Sequence, residues 1–200
     1  MRDVGEGGLE PPASCSQSRR AAKLRHSPAA IRLPARRGRP SPLYGARMQE
    51  QRRGRKIAMT PEELDAYLGA QRTCTVATVS HDGPHVTALW FVWDGECVWL
   101  YSITRSQRWT DLERDPRVAL LVEAGVEYNE LQGVEVHGKV EVVGEVPRTG
   151  EANDALAVPE RLFAAKYQGG GDEMFHDGRH AWLKLTPTKI ASWDFRKLGL

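Results

Sequence analysis

A short polar segment, residues 102–108, contains the residue types that bind phosphate. It holds Ser102, Thr104, Ser106 and Arg108 at the point where a predicted strand runs directly into a predicted helix. The first turn of a helix offers unpaired amides and the positive end of a dipole, hydroxyl groups can donate, and a guanidinium provides a fork for phosphate oxygens. The segment therefore predicts a phosphate site. The alternative is that Ser106 only caps the helix, the commonest use of such a serine, and that the arginine is a solvated charge.

Few other residues suggest chemistry. His85, His137 and Tyr128 could protonate a product, but a lone histidine on a strand is more often a surface or core residue than an acid. His176 and His180 have the spacing of a metal pair on a helix, yet the Asp-Gly pair between them indicates a turn. We therefore assign no catalytic residue and predict no metal site.

The cysteines and the apolar runs bear on location. Cys15, Cys74 and Cys97 form no Cys-x-x-Cys pair, so neither a disulfide framework nor a zinc site is predicted. No apolar run approaches the roughly 20 residues of a membrane span, and no apolar signal segment follows the N-terminal charges. These features favour a cytoplasmic protein that does not contact a membrane.

The 200-residue chain consists of two pieces with different compositions. Residues 1–47 hold ten basic and three acidic residues and six of the twelve prolines, whereas residues 48–200 hold 18 basic and 23 acidic residues. The first piece is expected to be a disordered basic extension, or sequence upstream of a true start at Met48. The second is large enough for one folded domain. Its acidic balance argues against nucleic acid as a partner.

The polar segment is positioned by a predicted series of strands and helices. Thr60 and Glu63 form a capping box that begins a helix to about residue 68. Further helices are predicted at 106–114 and 151–167, the latter broken or kinked by Pro159. Strands are predicted at 73–79, 86–93, 97–103, 118–123, 134–143, 181–185 and 189–194. Six or seven antiparallel strands in one domain favour a barrel, which leaves no open edge, so the fold class is mainly β (α+β) with flanking helices.

The order of these features resembles a known family. It is similar to the flavin-binding split β-barrels related to pyridoxamine 5′-phosphate oxidase, and especially to their actinobacterial members that depend on the deazaflavin F420. The resemblance covers nearly all of residues 48–200. The matching pieces are residues 75–79, 82–83, 85–87, 89–93, 101–108, 112, 115–119, 136–140 and 192–195.

The resemblance implies a six- to seven-stranded antiparallel split β-barrel that binds a flavin or deazaflavin. In the family, Ser102, Ser106 and Arg108 fall where the cofactor phosphate is held, and residues 87–91 fall where a core strand passes the cofactor ring. The cofactor-binding residues implied are Thr87, Leu89, Trp90, Ser102, Thr104, Ser106, Gln107 and Arg108. A homodimer with the cofactor at its interface is also implied.

Two departures from the family pattern bear on which cofactor is bound. In the oxidase itself, the strand at residues 86–91 begins with arginine and ends with lysine, both bound to FMN; here the corresponding residues are Val86 and Phe91. The oxidase also carries a C-terminal Arg/His pair beyond the equivalent of Trp193, whereas this sequence ends at Leu200. We therefore do not expect pyridoxamine phosphate oxidase activity. F420 is the expected cofactor, with FMN as the alternative.

Basic residues ahead of the first helix could meet the anionic tail of F420, or they could be solvated charges: Arg52, Arg53, Arg55 and Lys56.

Three functions stay open at this point. The first is an oxidoreductase that transfers hydride between F420, or less readily FMN, and a small organic substrate. The second is a non-catalytic flavin- or haem-binding protein on the same barrel. The third is a barrel that has lost its cofactor and serves as an interaction module. The presence together of Ser102, Ser106 and Arg108 favours the first two.

Overall fold

The computed structural model describes residues 51, 54–171 and 173–199; the predicted extension 1–47, with Arg52 and Arg53, lies outside these residues. Within these residues, six antiparallel strands form a closed barrel in the order β1-β2-β3-β6-β5-β4, which confirms the predicted fold class. The strands are β1 (Thr73–Ser80), β2 (Gly83–Trp93), β3 (Val98–Ile103), β4 (Arg117–Ala124), β5 (Gln132–Val143) and β6 (His180–Asp194).

In the described residues, three α-helices flank the barrel: α1 (Pro61–Ala70), α2 (Gln107–Arg114) and α3 (Ala157–Tyr167). Short 3-10 helices lie at Arg55–Ile57, Tyr128–Glu130 and Phe195–Leu198. The predicted capping box begins α1, because the amide of Glu63 donates to the hydroxyl of Thr60 at 3.3 Å and the amide of Thr60 donates to the carboxylate of Glu63 at 2.7 Å. Within the described ranges, no helix has the length and apolar character needed to cross a membrane.

The third helix differs from its prediction at the N-terminal end. It begins at Ala157 instead of near residue 151, so Pro159 lies in its first turn and does not kink it. The first four amides of a helix have no partner within the helix, and a proline there removes no hydrogen bond. The sequence pattern located the end of the helix and misplaced its start.

The last two predicted strands are a single strand. β6 runs from His180 to Asp194 and pairs with β5 along its length, with an irregularity in the register between His137 and Gly138, opposite Pro187. A proline cannot donate to a ladder, and such residues are found at bulges. Gly138 fits this place because a β-carbon there would lie 2.2 Å from the carbonyl oxygen of Thr186. The proline therefore distorts the strand without ending it.

Apolar side chains form two clusters on opposite sides of the sheet. The larger fills the barrel and includes Val76, Phe91 and Leu100. The smaller lies between the outer face of β3 and β6 and helix α3, and it contains Trp182 and Phe163. The predicted alternation of β5 holds for its buried valines as far as residue 140. It fails at Val142, which is 47 % exposed and lies beyond Lys139, the last residue of β5 that pairs with β4.

The barrel wall opens between β2 and β3. These strands pair only where Phe91, Val92 and Trp93 face Leu100, Trp99 and Val98. In the described part of the chain, residues 83–90 of β2 pair only with β1, and residues 101–103 of β3 pair only with β6. A cleft therefore separates two strand edges, and we call it the β2–β3 cleft. The segment that the sequence singled out lies at this cleft.

Candidate functional site

Arg108 bridges the two sides of the β2–β3 cleft. It lies in the first turn of α2, and its side chain is directed inward, so that the residue is only 5 % exposed. Its Nε and Nη2 atoms donate to the hydroxyl of Ser102 at 3.3 and 3.2 Å, and its Nη1 atom donates to the hydroxyl of Thr87. Ser102 belongs to β3 and Thr87 to β2. One side chain thus joins strands whose backbones do not pair there.

The charge of Arg108 is not balanced by a neighbouring acid. No carboxylate among the described residues lies within ion-pair distance of its guanidinium. Burial lowers the pKa of Arg108 from its usual value. A guanidinium has five N–H donors, and the contacts to Ser102 and Thr87 use three of them. A buried cation with donors to spare is costly unless an anion meets it, so this arrangement suits an anionic ligand.

The other polar residues of the segment are engaged elsewhere. The hydroxyl of Ser106 accepts from the amide of Trp109 at 3.2 Å and donates to the carbonyl of Ile103 at 2.8 Å, which is an N-cap. Thr104 donates to the carbonyl of Arg179 at 3.2 Å. Gln107 is exposed and donates to Asp111 at 2.9 Å. The structure therefore groups Thr87, Ser102 and Arg108 and leaves these three residues apart from them.

Leu89 and Trp90 lie on opposite faces of β2. Leu89 is directed inward and packs against the barrel core. Trp90 is directed outward, is 49 % exposed and stacks on Tyr167 of α3 with ring centroids 4.6 Å apart. Leu89 therefore belongs to the cleft floor. Trp90 belongs to the outer rim beside α3.

The positions at which the oxidase carries its two FMN-binding cations contain none here. Val86 lies on the outer face of β2 and is 57 % exposed, and Phe91 is fully buried in the core. The ammonium of Lys166, from α3, lies 4.3 Å from the centre of the Phe91 ring. It donates to the backbone carbonyls of Leu68 and Phe91, both at 3.3 Å, and burial lowers its pKa to about 8.

Sequence reasoning missed a buried acid next to this site. Asp111 follows Arg108 by one turn of α2, and its side chain is fully buried. One of its oxygens accepts from the hydroxyl of Thr78 at 2.9 Å and lies 3.1 Å from Nδ1 of His85. Burial alone would raise the pKa of Asp111, but hydrogen bonds from Gln107, Thr78, His85 and Ser80 outweigh it and hold the pKa below its usual value. The only sequence signal was the i, i+3 spacing from Arg108.

The basic residues ahead of α1 do not reach this cleft within one chain. Arg55 and Lys56 lie in a 3-10 helix packed beside the C-terminal 3-10 helix and the end of β6. Nearby, the amide of Met59 donates to the hydroxyl of Ser192 at 3.0 Å. Ser102 pairs instead with Ala181 at the other end of β6. A contact from Arg55 or Lys56 to a ligand at Arg108 of the same chain is therefore not supported.

Comparison with known proteins adds a family to this geometry. The family model described as pyridoxamine 5′-phosphate oxidase matches residues 60–194. A search of curated proteins found no match. A conserved hypothetical protein from Mycobacterium tuberculosis is 34 % identical over 76 % of this chain and 94 % of its own, with a TM-score of 0.63. An F420 reductase is 26 % identical over 63 % of this chain and 94 % of its own, with a TM-score of 0.47. An FAD-binding protein from Mesorhizobium loti is 15 % identical over 68 % of this chain and 93 % of its own, with a TM-score of 0.52.

Proposed function

The chain belongs to the pyridoxamine 5′-phosphate oxidase family, and from that membership we propose that it is an oxidoreductase that binds the deazaflavin F420 in the β2–β3 cleft. It would transfer hydride between F420 and a small organic substrate. FMN is the alternative cofactor. Arg108, Ser102 and Thr87 would hold the cofactor phosphate, and Leu89 and Trp90 would line the path of its ring.

The observation that carries this proposal is the isolated charge of Arg108. Its guanidinium is buried, is held by two hydroxyl groups and faces no carboxylate among the described residues. A merely structural arginine in such a place would be expected to pair with an acid, as Arg148 does with Glu145 and Glu160. A phosphate group would supply the missing negative charge and accept the unused N–H groups.

Two features favour F420 over FMN. The oxidase binds FMN with two further cations, and the corresponding residues here, Val86 and Phe91, are uncharged and directed to opposite faces of β2. The phosphate of F420 is esterified on both sides and carries one negative charge, whereas that of FMN carries nearly two at neutral pH. A single guanidinium matches the former better.

The residues of this chain would bind the cofactor, orient it and exclude water from the β2–β3 cleft. When bound, the reduced deazaflavin supplies a hydride from its ring carbon. Arg108 would hold the phosphate, and Leu89 on the inner face of β2 and Trp90 on its outer face would lie beside the ring. Orientation of the two reactants would lower the barrier to hydride transfer, and no protein acid or base is assigned.

We also propose that the protein is a homodimer. The outer faces of β1, β2 and β4 form a continuous apolar surface, since Ala77 pairs with both Val86 and Ala119, and Thr75 pairs with Ala88 and Leu121. Val86 and Val79 are 57 % and 47 % exposed on this face. A contiguous apolar sheet surface is typical of a protein interface. Because Val86 adjoins the β2–β3 cleft, such an interface would also border the cofactor.

Titration of the purified protein with F420, FMN and haem tests the proposal. We expect F420 to bind more tightly than FMN, and Arg108→Ala to weaken F420 binding by one to two orders of magnitude, the equivalent of about 1.5–3 kcal/mol. The control is Arg105→Ala, because Arg105 is exposed in the same segment. Unchanged F420 affinity in Arg108→Ala would contradict the proposed site.

A turnover assay separates the enzyme from a carrier. Reduced F420 is mixed with 2-cyclohexen-1-one as a probe for hydride acceptance, and its oxidation is followed by absorbance. Oxidation that requires Arg108 supports an oxidoreductase. Tight binding of F420, FMN or haem with no oxidation of the reduced cofactor by any small acceptor would favour the non-catalytic binding protein instead.

A further inference from the structure

Asp111 and Arg108 lie on the same face of helix α2 and contact different strands. They are three residues apart, so their side chains leave the helix in similar directions. The guanidinium of Arg108 donates to hydroxyl groups of β2 and β3. The fully buried carboxylate of Asp111 accepts from the hydroxyl of Thr78 in β1 at 2.9 Å and lies 3.1 Å from Nδ1 of His85 in β2. The two side chains therefore attach one helix to three strands.

Helix α2 reaches from one side of the β2–β3 cleft to the other. Just before the helix, the hydroxyl of Ser106 donates at 2.8 Å to the carbonyl of Ile103, the last residue of β3. Five residues later, Asp111 attaches the helix to β1 and β2. In the described part of the chain, β2 and β3 pair with each other only at residues 91–93 and 98–100. The place of Arg108 between the two strand edges therefore depends on how α2 is held on both sides.

Both oxygens of the Asp111 carboxylate have partners. The oxygen that does not face Thr78 accepts from Gln107 at 2.9 Å and lies 3.7 Å from the guanidinium of Arg114. A buried carboxylate is costly unless its oxygens are hydrogen-bonded, and donors from α2 and β1 meet this requirement. Among the described residues, Arg108 is not an ion-pair partner of Asp111. Asp111 therefore holds the helix and leaves the charge of Arg108 available to an anion.

We propose that Asp111 is a positioning residue of the cofactor site. Its carboxylate holds α2 against β1 and β2, and it thereby sets the place of the Arg108 guanidinium relative to the hydroxyl of Thr87. This inference rests on the proposed function, which assigns the cofactor phosphate to Arg108. Asp111 acts through Arg108 and does not touch the cofactor. A guanidinium binds phosphate through a planar fork of N–H groups, so its orientation matters as well as its charge.

Two kinds of substitution weaken this attachment. Asp111→Ala removes it and should weaken F420 binding about tenfold, since misplacement of a binding group by about 1 Å can cost up to about 100-fold. Thr78→Val removes the hydrogen bond from β1 at nearly constant volume and should weaken F420 binding about threefold. Thr78→Ser keeps the hydroxyl and should bind F420 as the wild type does. Glu113→Ala is the matched control, because Glu113 is an exposed carboxylate of the same helix that accepts from Trp109 at 2.8 Å. It should leave F420 affinity unchanged.

A double-mutant cycle distinguishes positioning from a general loss of structure. The dissociation constant of F420, and of FMN in parallel, is measured for the wild type, Asp111→Ala, Arg108→Ala and the double variant. If Asp111 acts through Arg108, Asp111→Ala should change affinity less than about twofold once Arg108 is absent. A residue that only stabilises the fold would lower affinity by the same factor with or without Arg108. The same cycle with Thr78→Val gives the answer if Asp111→Ala does not fold.

Each outcome decides between the two proposals. Equal weakening with and without Arg108, or wild-type affinity in both Asp111→Ala and Thr78→Val, overturns the role of Asp111 and leaves the proposed function standing. If the wild type binds FMN and not F420, the cycle on FMN tests Asp111, and only the choice of F420 fails. If the wild type binds neither cofactor, the proposed function fails and this inference fails with it.

Discussion

The indole of Trp90 stacks on the phenol ring of Tyr167 with ring centroids 4.6 Å apart and an angle of 8° between the planes. The hydroxyl of Tyr167 in turn accepts from the amide of Phe91 at 3.2 Å and lies 2.7 Å from its carbonyl. Consecutive residues of β2 thus attach α3 through a side chain and through the backbone. Since Tyr167 covers one face of the indole, only the other face is available to a ligand in the cleft.

Substitution of Tyr167 should separate these two contacts. Tyr167→Phe keeps the stack and loses the hydrogen bonds, so it should lower the free energy of unfolding by about 1 kcal/mol and leave cofactor affinity unchanged. Tyr167→Ala also removes the stack and should cost about 3 kcal/mol. It should weaken F420 binding as well, because Trp90 loses its support. Urea unfolding and F420 titration measure the two effects; equal F420 affinity in both variants would show that the stack does not shape the cleft.

Arg108 should affect stability and binding in opposite directions. Replacement by methionine removes a buried charge that lacks an acidic partner, so the cofactor-free protein should become more stable by about 1 kcal/mol. The same change should weaken F420 binding 10- to 100-fold. Lysine should restore binding only in part, because a point charge does not reproduce the guanidinium fork. Arg105→Met is the control. Destabilisation of the free protein by Arg108→Met would mean that the arginine is a structural residue.

Ser102 and Ser106 should respond differently to replacement by alanine. Ser106→Ala removes the helix cap and should cost about 1 kcal/mol of stability with little effect on F420 affinity. Ser102→Ala removes the acceptor of two Arg108 N–H groups and should weaken F420 binding with a smaller loss of stability. Thermal unfolding and cofactor titration of both variants test this contrast. A large binding defect in Ser106→Ala would place the phosphate at the helix N-terminus instead.

The sequence predicted local features well where one residue type determines them. The capping box at Thr60 and the N-cap at Ser106 are examples, because each depends on one side-chain oxygen at a fixed position before the helix. The sequence prediction was wrong about a kink at Pro159 and about a break between two strands near Pro187. A proline ends an element only if its missing N–H removes a hydrogen bond that the fold needs. It could not show that Arg108 is directed inward, nor that Asp111 meets His85, since both depend on how α2 packs across β1 and β2. Side-chain direction at the end of a helix is a tertiary property.

An acidic residue on the outer face of β2 should disrupt the proposed dimer. Val86→Asp introduces a charge into the apolar surface, and burial of an unpaired carboxylate there is costly. Light scattering should show a dimer for the wild type and a monomer for the variant. Val142→Asp is the control, because Val142 is also about half exposed but lies on β5 outside this surface. A wild-type monomer at micromolar concentration would contradict the dimer.

Lys166 should make the stability of the protein depend on pH in the alkaline range. Burial first, and then the nearby charge of Arg72, lowers its pKa to about 8, whereas an unfolded lysine titrates near 10.4. Between these values the unfolded chain binds more protons than the folded one, so this group makes stability rise with pH. Below pH 8 the burial of the charged ammonium lowers the free energy of unfolding by its full amount, with an upper limit of about 3 kcal/mol. Hydrogen bonds from the ammonium to the carbonyls of Leu68 and Phe91 offset part of it.

Replacement of Lys166 by methionine removes this titration and keeps most of the side-chain volume. The variant should be more stable than the wild type at pH 7, and the difference in unfolding free energy should shrink toward zero near pH 10.5. Denaturant unfolding at pH 7, 8.5 and 10 measures it. Lys139→Met, at an exposed position of β5, should show no such trend. Lower stability of Lys166→Met than of the wild type at pH 7 would contradict this prediction. It would mean that the hydrogen bonds from the ammonium to the carbonyls outweigh the cost of its burial and stabilise the packing of α3 against α1 and β2.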